Sequence, residues 1–286
     1  MAKNISLMAI IMLVSLVSGG GCNMFGDLAD KSSDEAILDD VENLIDAGLW
    51  NDAVLKWQLL SSTAKSKREN KLLLASAYAG RGGLDILRLI SAINSGGTNF
   101  FTILMKAFRS SQYRHIDDQI LAEAVMVNIG ATALLRTVDE NIFTMFVEFA
   151  KLGTIMAAFA DTDADNVVDT TFNNCTALDS HPTYKKHIVT GLTIIIESLA
   201  ATGSTLAGSS VSNISANCTV FGVNFCSKTD ISNVTAAEEL SAETLMGESH
   251  LAIGLAATTS VNTREFTTPV TSNGDPCAGV APCLCP

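Results

Sequence analysis

The stretch from residue 48 to 87 constrains the fold most, because small and aromatic residues recur in it at the spacing of packed helices. Gly48 is followed by Trp50, and then by Ala53 and Trp57 at intervals of three and four residues. Such intervals put side chains on one face of a helix, and glycine is typical just after a helix end. The pattern therefore predicts a helical hairpin in which the first helix ends at Gly48 and these aromatic side chains are core.

A second set of small and aromatic residues follows in the same stretch. Ala75 and Tyr78 occupy the small and aromatic positions of the next helix, and Gly82 falls on its next turn. This pattern resembles the tetratricopeptide repeat, which has a period of about 34 residues. The resemblance covers residues 34–95, and it implies antiparallel helical hairpins that present a binding surface to other proteins.

Helical spacing continues beyond these hairpins with less regularity. Hydrophobic residues make up 48% of the chain but aromatic residues only 6%, and abundant small side chains favour closely packed helices over a β-sandwich. We predict an all-α fold in which the tetratricopeptide-like hairpins continue into an irregular helical bundle over residues 96–257. The predicted helices span residues 34–47, 50–63, 72–79, 84–93, 100–108, 117–135, 140–159, 187–201 and 236–257.

The first 21 residues have the features of an export signal. Lys3 precedes an apolar run over residues 5–17, and four small residues then lead directly to Cys22. The apolar run is short for a membrane span. Small residues followed by cysteine resemble the lipobox of bacterial lipoproteins, which implies a lipid on Cys22 and a tether over residues 22–33. The alternative is an ordinary signal peptide that is cleaved nearby.

The other cysteines all lie in the second half of the chain. Six remain when Cys22 is set aside, and an even number in an exported protein predicts up to three disulfides. The pair Cys218 and Cys226 would close a short loop and is favoured. A zinc site is the alternative, but no cluster of histidine and cysteine has ligand spacing. The candidates fall in a loop over 161–175, a loop over 203–233 and a tail over 258–286: Cys175, Cys218, Cys226, Cys277, Cys283 and Cys285.

An acidic loop is the sharpest candidate for a metal site. Carboxylates recur at positions one, three, five and nine of the loop, and the backbone carbonyl of position seven can join them. Oxygen ligands in such a pattern suit calcium, and the loop resembles the calcium loops of EF-hands and of thrombospondin type 3 repeats. We predict a structural calcium ion, with a solvated acidic loop as the alternative. The predicted ligands are Asp161, Asp163, Asp165, Val167 and Asp169.

The sequence contains no recognisable catalytic motif. Its four histidines (His115, His181, His187 and His250) belong to no HExxH pattern, and we expect His181 and His187 to lie at the surface near a helix start. The glycines around Arg81 are interpreted as a hairpin turn rather than a phosphate cradle. A net charge of −12 disfavours nucleic-acid binding.

These observations predict a scaffold rather than an enzyme. We expect an exported, lipid-anchored protein of the bacterial outer membrane or periplasm that binds envelope proteins and performs no catalysis. Its membrane contact would be the lipid, and its one cofactor calcium. The helical-repeat lipoproteins associated with TRAP-type solute transporters are similar in these respects. The alternative function is a carrier that holds a small apolar or solute ligand in a helical cavity.

Overall fold

A computed structural model describes residues 32–94, 100–108, 113–169, 171–173, 176–202 and 227–247. The export signal, most of the tether, the cysteine-rich tail and all seven cysteines lie outside these ranges, as do His250 and the C-terminal part of the predicted last helix. The predictions made for them, including the lipid on Cys22 and the disulfides, stay predictions.

The all-α prediction is confirmed, since every regular element in the described ranges is a helix. The helices are α1 (Asp34–Asp46), α2 (Trp50–Trp57), α3 (Ser62–Ser66), α4 (Arg68–Arg81), α5 (Ile86–Asn94), α6 (Phe100–Ala107), α7 (Tyr113–Ile129), α8 (Val138–Ala160), α9 (Pro182–Ala201) and α10 (Ala236–Gly247). Short 3₁₀ turns at Ala133–Leu135 and Ile231–Asn233 accompany them.

The first four helices share one apolar core. Ser33 caps α1 by accepting a hydrogen bond from the amide of Ala36 at 3.2 Å, and acidic residues in the first turn suit the positive end of the helix dipole. A turn with Gly48 at φ +71° then reverses the chain into α2. A residue with positive φ favours glycine, so Gly48 ends α1 as predicted. The buried residues of this core are Ile37, Val41, Ala53, Val54, Trp57, Leu60, Ala64, Leu74 and Ala77.

Two predicted helices are shorter than expected. The helix predicted to run to residue 63 ends at Trp57, because Ser61 begins a new helix by accepting a hydrogen bond from the amide of Ala64 at 3.1 Å. Asp34 of α1 holds Ser61 in place by accepting a hydrogen bond from its amide at 2.8 Å. The helix predicted to end at residue 135 stops at Ile129, before Gly130, and a 3₁₀ turn follows it.

The neighbour of α4 also differs from the simplest repeat pattern. We expected the following helix, now α5, to pair with α4, but α4 packs most extensively against α7. Ala75 contacts Met126 and Ile129 of α7. The buried Leu89 of α5 packs instead in a second and larger apolar core, the main core, which includes residues of α6, α8 and α9. The small side chains of α4 allow a close approach, so the longer α7 takes the place beside it.

Helices α6, α8 and α9 form the centre of the main core. A capping box between Thr137 and Glu140 begins α8. Within the described residues, α8 alone is long and apolar enough to cross a membrane, and 72% of its most apolar window is buried inside the protein. Such burial is expected of the core helix of a bundle, and the apolar length of α8 is explained by its central position.

Candidate functional site

A surface recess lies where the α1–α2 turn meets the end of α4 and the start of α7. Its volume is about 440 Å³. The lining residues combine an indole ring, a guanidinium group, an imidazole and one exposed apolar side chain: Gly48, Leu49, Trp50, Asn51, Asp52, Arg81 and His115. The turn at Gly48 and the end of α4 at Arg81 together position this set.

Trp50 lies over the backbone of Gly80. A Cβ atom at Gly80 would lie 2.6 to 2.7 Å from three atoms of the indole ring, so only glycine permits this contact. Trp50 is half-buried and presents part of its ring to the recess. The prediction that Trp50 is a core residue therefore needs correction, because the absence of a side chain at Gly80 brings the ring to the edge of the fold.

Arg81 is fixed by contacts with α2, with α7 and with a ring of its own helix. Its Nη2 atom lies 2.6 Å from Oδ1 of the buried Asp118, and its Nη1 atom donates a hydrogen bond to Asn51 at 3.3 Å. The guanidinium also lies over the ring of Tyr78, at 5.0 Å from the ring centroid, in a cation–π contact. Arg81 is thus a held side chain that lines the recess rather than a solvated turn residue.

The other predicted core residues are distributed as follows. Ala53 and Ala75 are fully buried, and Trp57 is buried with its indole Nε1 donating a hydrogen bond to the carbonyl of Asn70 at 2.7 Å. Tyr78 is half-buried beneath Arg81. Of the five small and aromatic residues in the pattern, four (Ala53, Trp57, Ala75 and Tyr78) thus pack in or beside the core of the first four helices. The fifth, Trp50, faces the recess.

The acidic loop brings three of the predicted calcium ligands together. One carboxylate oxygen each from Asp161, Asp163 and Asp169 lies within 4.8 Å of the other two. Asp169 also accepts hydrogen bonds from the backbone amide and the hydroxyl group of Thr162, and the hydrogen bond from the amide is 3.0 Å long. The carboxylates of this triad of Asp161, Asp163 and Asp169 are oxygen ligands of the kind that calcium binds.

The remaining members of the predicted set have other contacts. The carboxylate of Asp165 is not in the triad, and it accepts a hydrogen bond from the amide of Val167 at 2.7 Å. Asp161 is buried and accepts hydrogen bonds from the amides of Asp165 and Asn166 at 2.9 and 3.0 Å. Burial raises the pKa of Asp161, although these amides oppose the rise. Asn166 adopts φ +70°, a conformation that asparagine tolerates.

A cluster of ionisable side chains lies deep between α7, α8 and α9. Lys151 of α8 is fully buried, and its Nζ atom lies 2.6 Å from Oε2 of Glu148 and 2.9 Å from Oε2 of Glu123. Nδ1 of His187 lies 3.5 Å from the same oxygen of Glu123. We call these four residues (Glu123, Glu148, Lys151 and His187) the ion cluster.

Burial and charge act against each other in the ion cluster. Burial, reinforced by the charge of Glu123, raises the pKa of Glu148 to about 8. Burial also acts to raise the pKa of Glu123, but Lys151 and His187 outweigh it, and this pKa falls below its usual value. For Lys151, burial lowers the pKa and the two carboxylates more than restore it, so the ammonium is charged. Burial lowers the pKa of His187, which is therefore neutral at pH 7.

Comparison of the sequence with protein-family models and curated proteins, and of the structure with solved structures, finds no match.

The ion cluster was not predicted, and the expectation for one of its members was wrong. We expected His187 at the surface near a helix start, but it lies in the second turn of α9 and is buried. The signal was present in α8, where Glu148 and Lys151 interrupt an apolar helix at a spacing of three residues. Charged residues that face a core must be paired. These two residues therefore indicated charged partners on neighbouring helices, but the sequence did not show which residues the partners are.

The other described histidines have separate environments. His115 is half-buried and lines the recess. His181 stacks on Tyr184 with ring centroids 5.6 Å apart, and it also contacts Phe159. His181 is therefore partly packed at the start of α9, rather than free at the surface.

Proposed function

We propose that this protein is an exported, lipid-anchored docking protein that binds a segment of a partner protein in the recess and performs no catalysis. One observation carries the proposal: the recess combines an exposed face of Trp50 with a fixed Arg81. Tryptophan, tyrosine and arginine are the residues that most often dominate the binding energy of protein interfaces.

The rigidity of the recess supports peptide recognition. Asp118 and Tyr78 hold Arg81 in one orientation, so little side-chain freedom remains to be lost when a partner binds. The ring of Trp50 is fixed by its contact with Gly80. Leu49 is 50% exposed at the rim, and it offers an apolar contact beside these two anchors.

The chemistry of the lining favours docking over catalysis. Its ionisable groups are Asp52, Arg81 and His115, and its other members are an amide, two apolar side chains and a glycine. Arg81 is paired with Asp118, so its charge is already neutralised. Its guanidinium group can therefore serve as a hydrogen-bond donor to a partner rather than as a free cation.

The lipid and the tether would hold the recess near a membrane. Cys22 precedes the first described residue by ten positions, and a short polar tether would keep the helices within reach of envelope proteins. An anchored docking protein of this kind would assemble or position an envelope complex, as the similarity to transporter-associated helical-repeat lipoproteins implies. The net charge of −12 favours a protein partner over a nucleic acid.

A pair of matched leucine variants tests the recess. Leu49→Glu places a charge at the rim of the recess, whereas Leu55→Glu makes the same change on α2, at a leucine that is 66% exposed and does not line it. Both variants should keep the wild-type melting temperature, since neither side chain is buried. We expect Leu49→Glu alone to lose at least ten-fold in affinity for the partner recovered with the wild-type protein. Equal binding by the two variants would count against the recess.

A carrier of a small ligand is the second candidate. The recess volume of about 440 Å³ lies in the range of small-molecule pockets. Native mass spectrometry of the purified mature protein separates the two functions. A small molecule that co-purifies with the wild-type protein and is lost from Leu49→Glu would support the carrier, and a protein captured with the same dependence supports docking.

Calcium is proposed as a structural ion of the loop between α8 and α9. The triad of Asp161, Asp163 and Asp169 supports this assignment because its oxygens lie close enough to share one ion. The ion would join the end of α8 to the segment that leads to α9, and it would have no part in partner binding.

A further inference from the structure

The ion cluster lies apart from the recess, and its charges do not balance. Two carboxylates, Glu123 and Glu148, share the single ammonium of Lys151 at 2.9 and 2.6 Å. Lys151 and Glu148 are both 0% exposed. Isolated charges are strongly disfavoured in such an environment and are relieved by pairing or by a change of protonation. The shared ammonium neutralises one carboxylate, and the second has no cation of its own within the ion cluster.

We propose that the ion cluster is an internal proton-binding site, in which Glu148 holds one proton at neutral pH and the release of that proton loosens the packing of α9 against α8.

Glu148, rather than Glu123, is the carboxyl group that holds the proton. Glu123 contacts both Lys151 and His187, and its side chain is 9% exposed. Glu148 has no exposure, and its Oε1 atom has no hydrogen-bond partner among the described residues. The directions of the two pKa shifts agree with this assignment, because the pKa of Glu148 rises and that of Glu123 falls.

Each element around the ion cluster carries charged groups, and Glu123, Lys151 and Arg136 act directly on Glu148. Helix α7 contributes Glu123, and Asp117 acts on His187. The segment before α8 contributes Arg136, which is buried and favours the ionised form of Glu148. Helix α9 contributes His187 and Glu197. The charged groups of α10 are paired with two lysines of α9 and one from the segment before α10 (Glu239 with Lys186, Glu243 with Lys185, Glu238 with Lys228), and Lys106 of α6 is exposed.

Gly191 connects protonation to the position of α9. A Cβ atom at Gly191 would lie 3.0 Å from Oε2 of Glu148 and 3.2 Å from Cε of Lys151. The backbone of α9 is therefore packed directly on the carboxyl group, and water has no room between them. An ionised carboxylate must be solvated, so loss of the proton favours states in which α9 has moved away and water reaches Glu148.

The sign of the pH dependence follows from the two shifted groups. The pKa of Glu148 is raised from 4.5 to about 8. Between these pH values the native state therefore holds a proton that the unfolded state has already lost. Stability therefore falls as pH rises through this window. His187, whose pKa is lowered from 6.5, acts in the opposite sense by destabilising the fold as pH falls below 6.5. Above pH 6.5 the fall in stability expected from Glu148 therefore exceeds the opposing effect of His187.

Thermal melting of the full chain between pH 6.5 and 9 tests the proposal. The variants are Glu148→Gln, a neutral isostere, and Glu42→Gln, which removes one charge from an exposed position on α1. We expect the melting temperature of the wild type and of Glu42→Gln to fall by several degrees across this range. Glu148→Gln should lose most of that fall and should melt higher than the wild type at pH 9. A wild-type pH profile in Glu148→Gln overturns the proposal.

Two measurements keep the proposal testable if Glu148→Gln does not fold. In wild-type protein with ¹³C-labelled glutamate carboxyl groups, one resonance should titrate near pH 8, and titration of every resonance below pH 6 overturns the proposal. Where the variant folds, hydrogen exchange at pH 9 should be slower for the α9 amides in Glu148→Gln than in the wild type. Equal exchange in the two proteins overturns the coupling to α9.

Discussion

Trp50 and Gly80 show how one missing side chain shapes the surface of this protein. The indole occupies the space that a Cβ atom at Gly80 would fill, and this keeps the ring at the edge of the fold. The pattern of small and aromatic residues placed both positions in one stretch of packed helices. It did not distinguish a ring buried between helices from a ring laid over the end of one, because both arrangements use the same spacing.

Single carboxylates in the acidic loop have separable roles. Asp163 belongs to the triad, whereas Asp165 accepts a hydrogen bond from Val167 outside it. We predict that calcium raises the melting temperature of the wild type and of Asp165→Asn, and that Asp163→Asn loses this increase while melting normally without calcium. A ligand at 100 times its dissociation constant stabilises a fold by about 2.7 kcal/mol. Calorimetry with calcium or with chelator measures the effect.

The matched pair also separates calcium binding from loop architecture. Asp161 is unsuitable for this purpose, because its carboxylate accepts hydrogen bonds from two backbone amides and its loss would disturb the loop by itself. If chelator leaves the melting of the wild type unchanged, the loop is a solvated acidic turn.

At the scale of elements, helix existence was predictable and helix partnership was not. Apolar residues at intervals of three and four indicated every described α-helix except the short α3, since that spacing is a local property of the chain. Helix α7 rather than α5 packs beside α4 because of how side chains about 50 positions apart fit together. The periodicity of apolar residues carries no information about such distant pairs. The ion cluster was missed for the same reason, because it joins α7, α8 and α9 over more than 60 residues.

The crossing of α6 and α8 depends on Gly153. A Cβ atom at this position would lie 2.8 Å from Cε2 of Phe108 and 2.9 Å from the backbone carbonyl oxygen of Leu104. We predict that Gly153→Ala lowers the free energy of unfolding by about 2 kcal/mol, the usual cost of overpacking a core, despite alanine's better helix propensity. Urea denaturation followed by circular dichroism measures the change.

Gly191→Ala is the control for this prediction, since it is the same substitution in another buried helix. The new methyl group there would meet side-chain atoms at 3.0 to 3.3 Å and no backbone atom, so its neighbours can move further. The order of destabilisation should be Gly153→Ala above Gly191→Ala. The reverse order would mean that the α6–α8 contact is not the tighter crossing.

At the scale of the whole molecule, an all-α fold carries a surface recess, an acidic loop after α8 and the ion cluster between α7, α8 and α9. The recess is lined by residues of the α1–α2 turn, α2, α4 and α7, so its shape depends on how these elements pack together. The export signal, the lipid on Cys22 and the disulfides remain predictions from the sequence. They bear on where the protein acts rather than on how the recess is built.

Photo-cross-linking from the recess in intact cells tests the docking function most directly. A photoreactive amino acid replaces Asn51, which is exposed and lines the recess, and a control protein carries it at Ser232, which is exposed before α10. We predict that one envelope protein is cross-linked from position 51 and not from 232, and that Leu49→Glu abolishes the product. The same products from both positions, or an unchanged product in Leu49→Glu, would contradict the account.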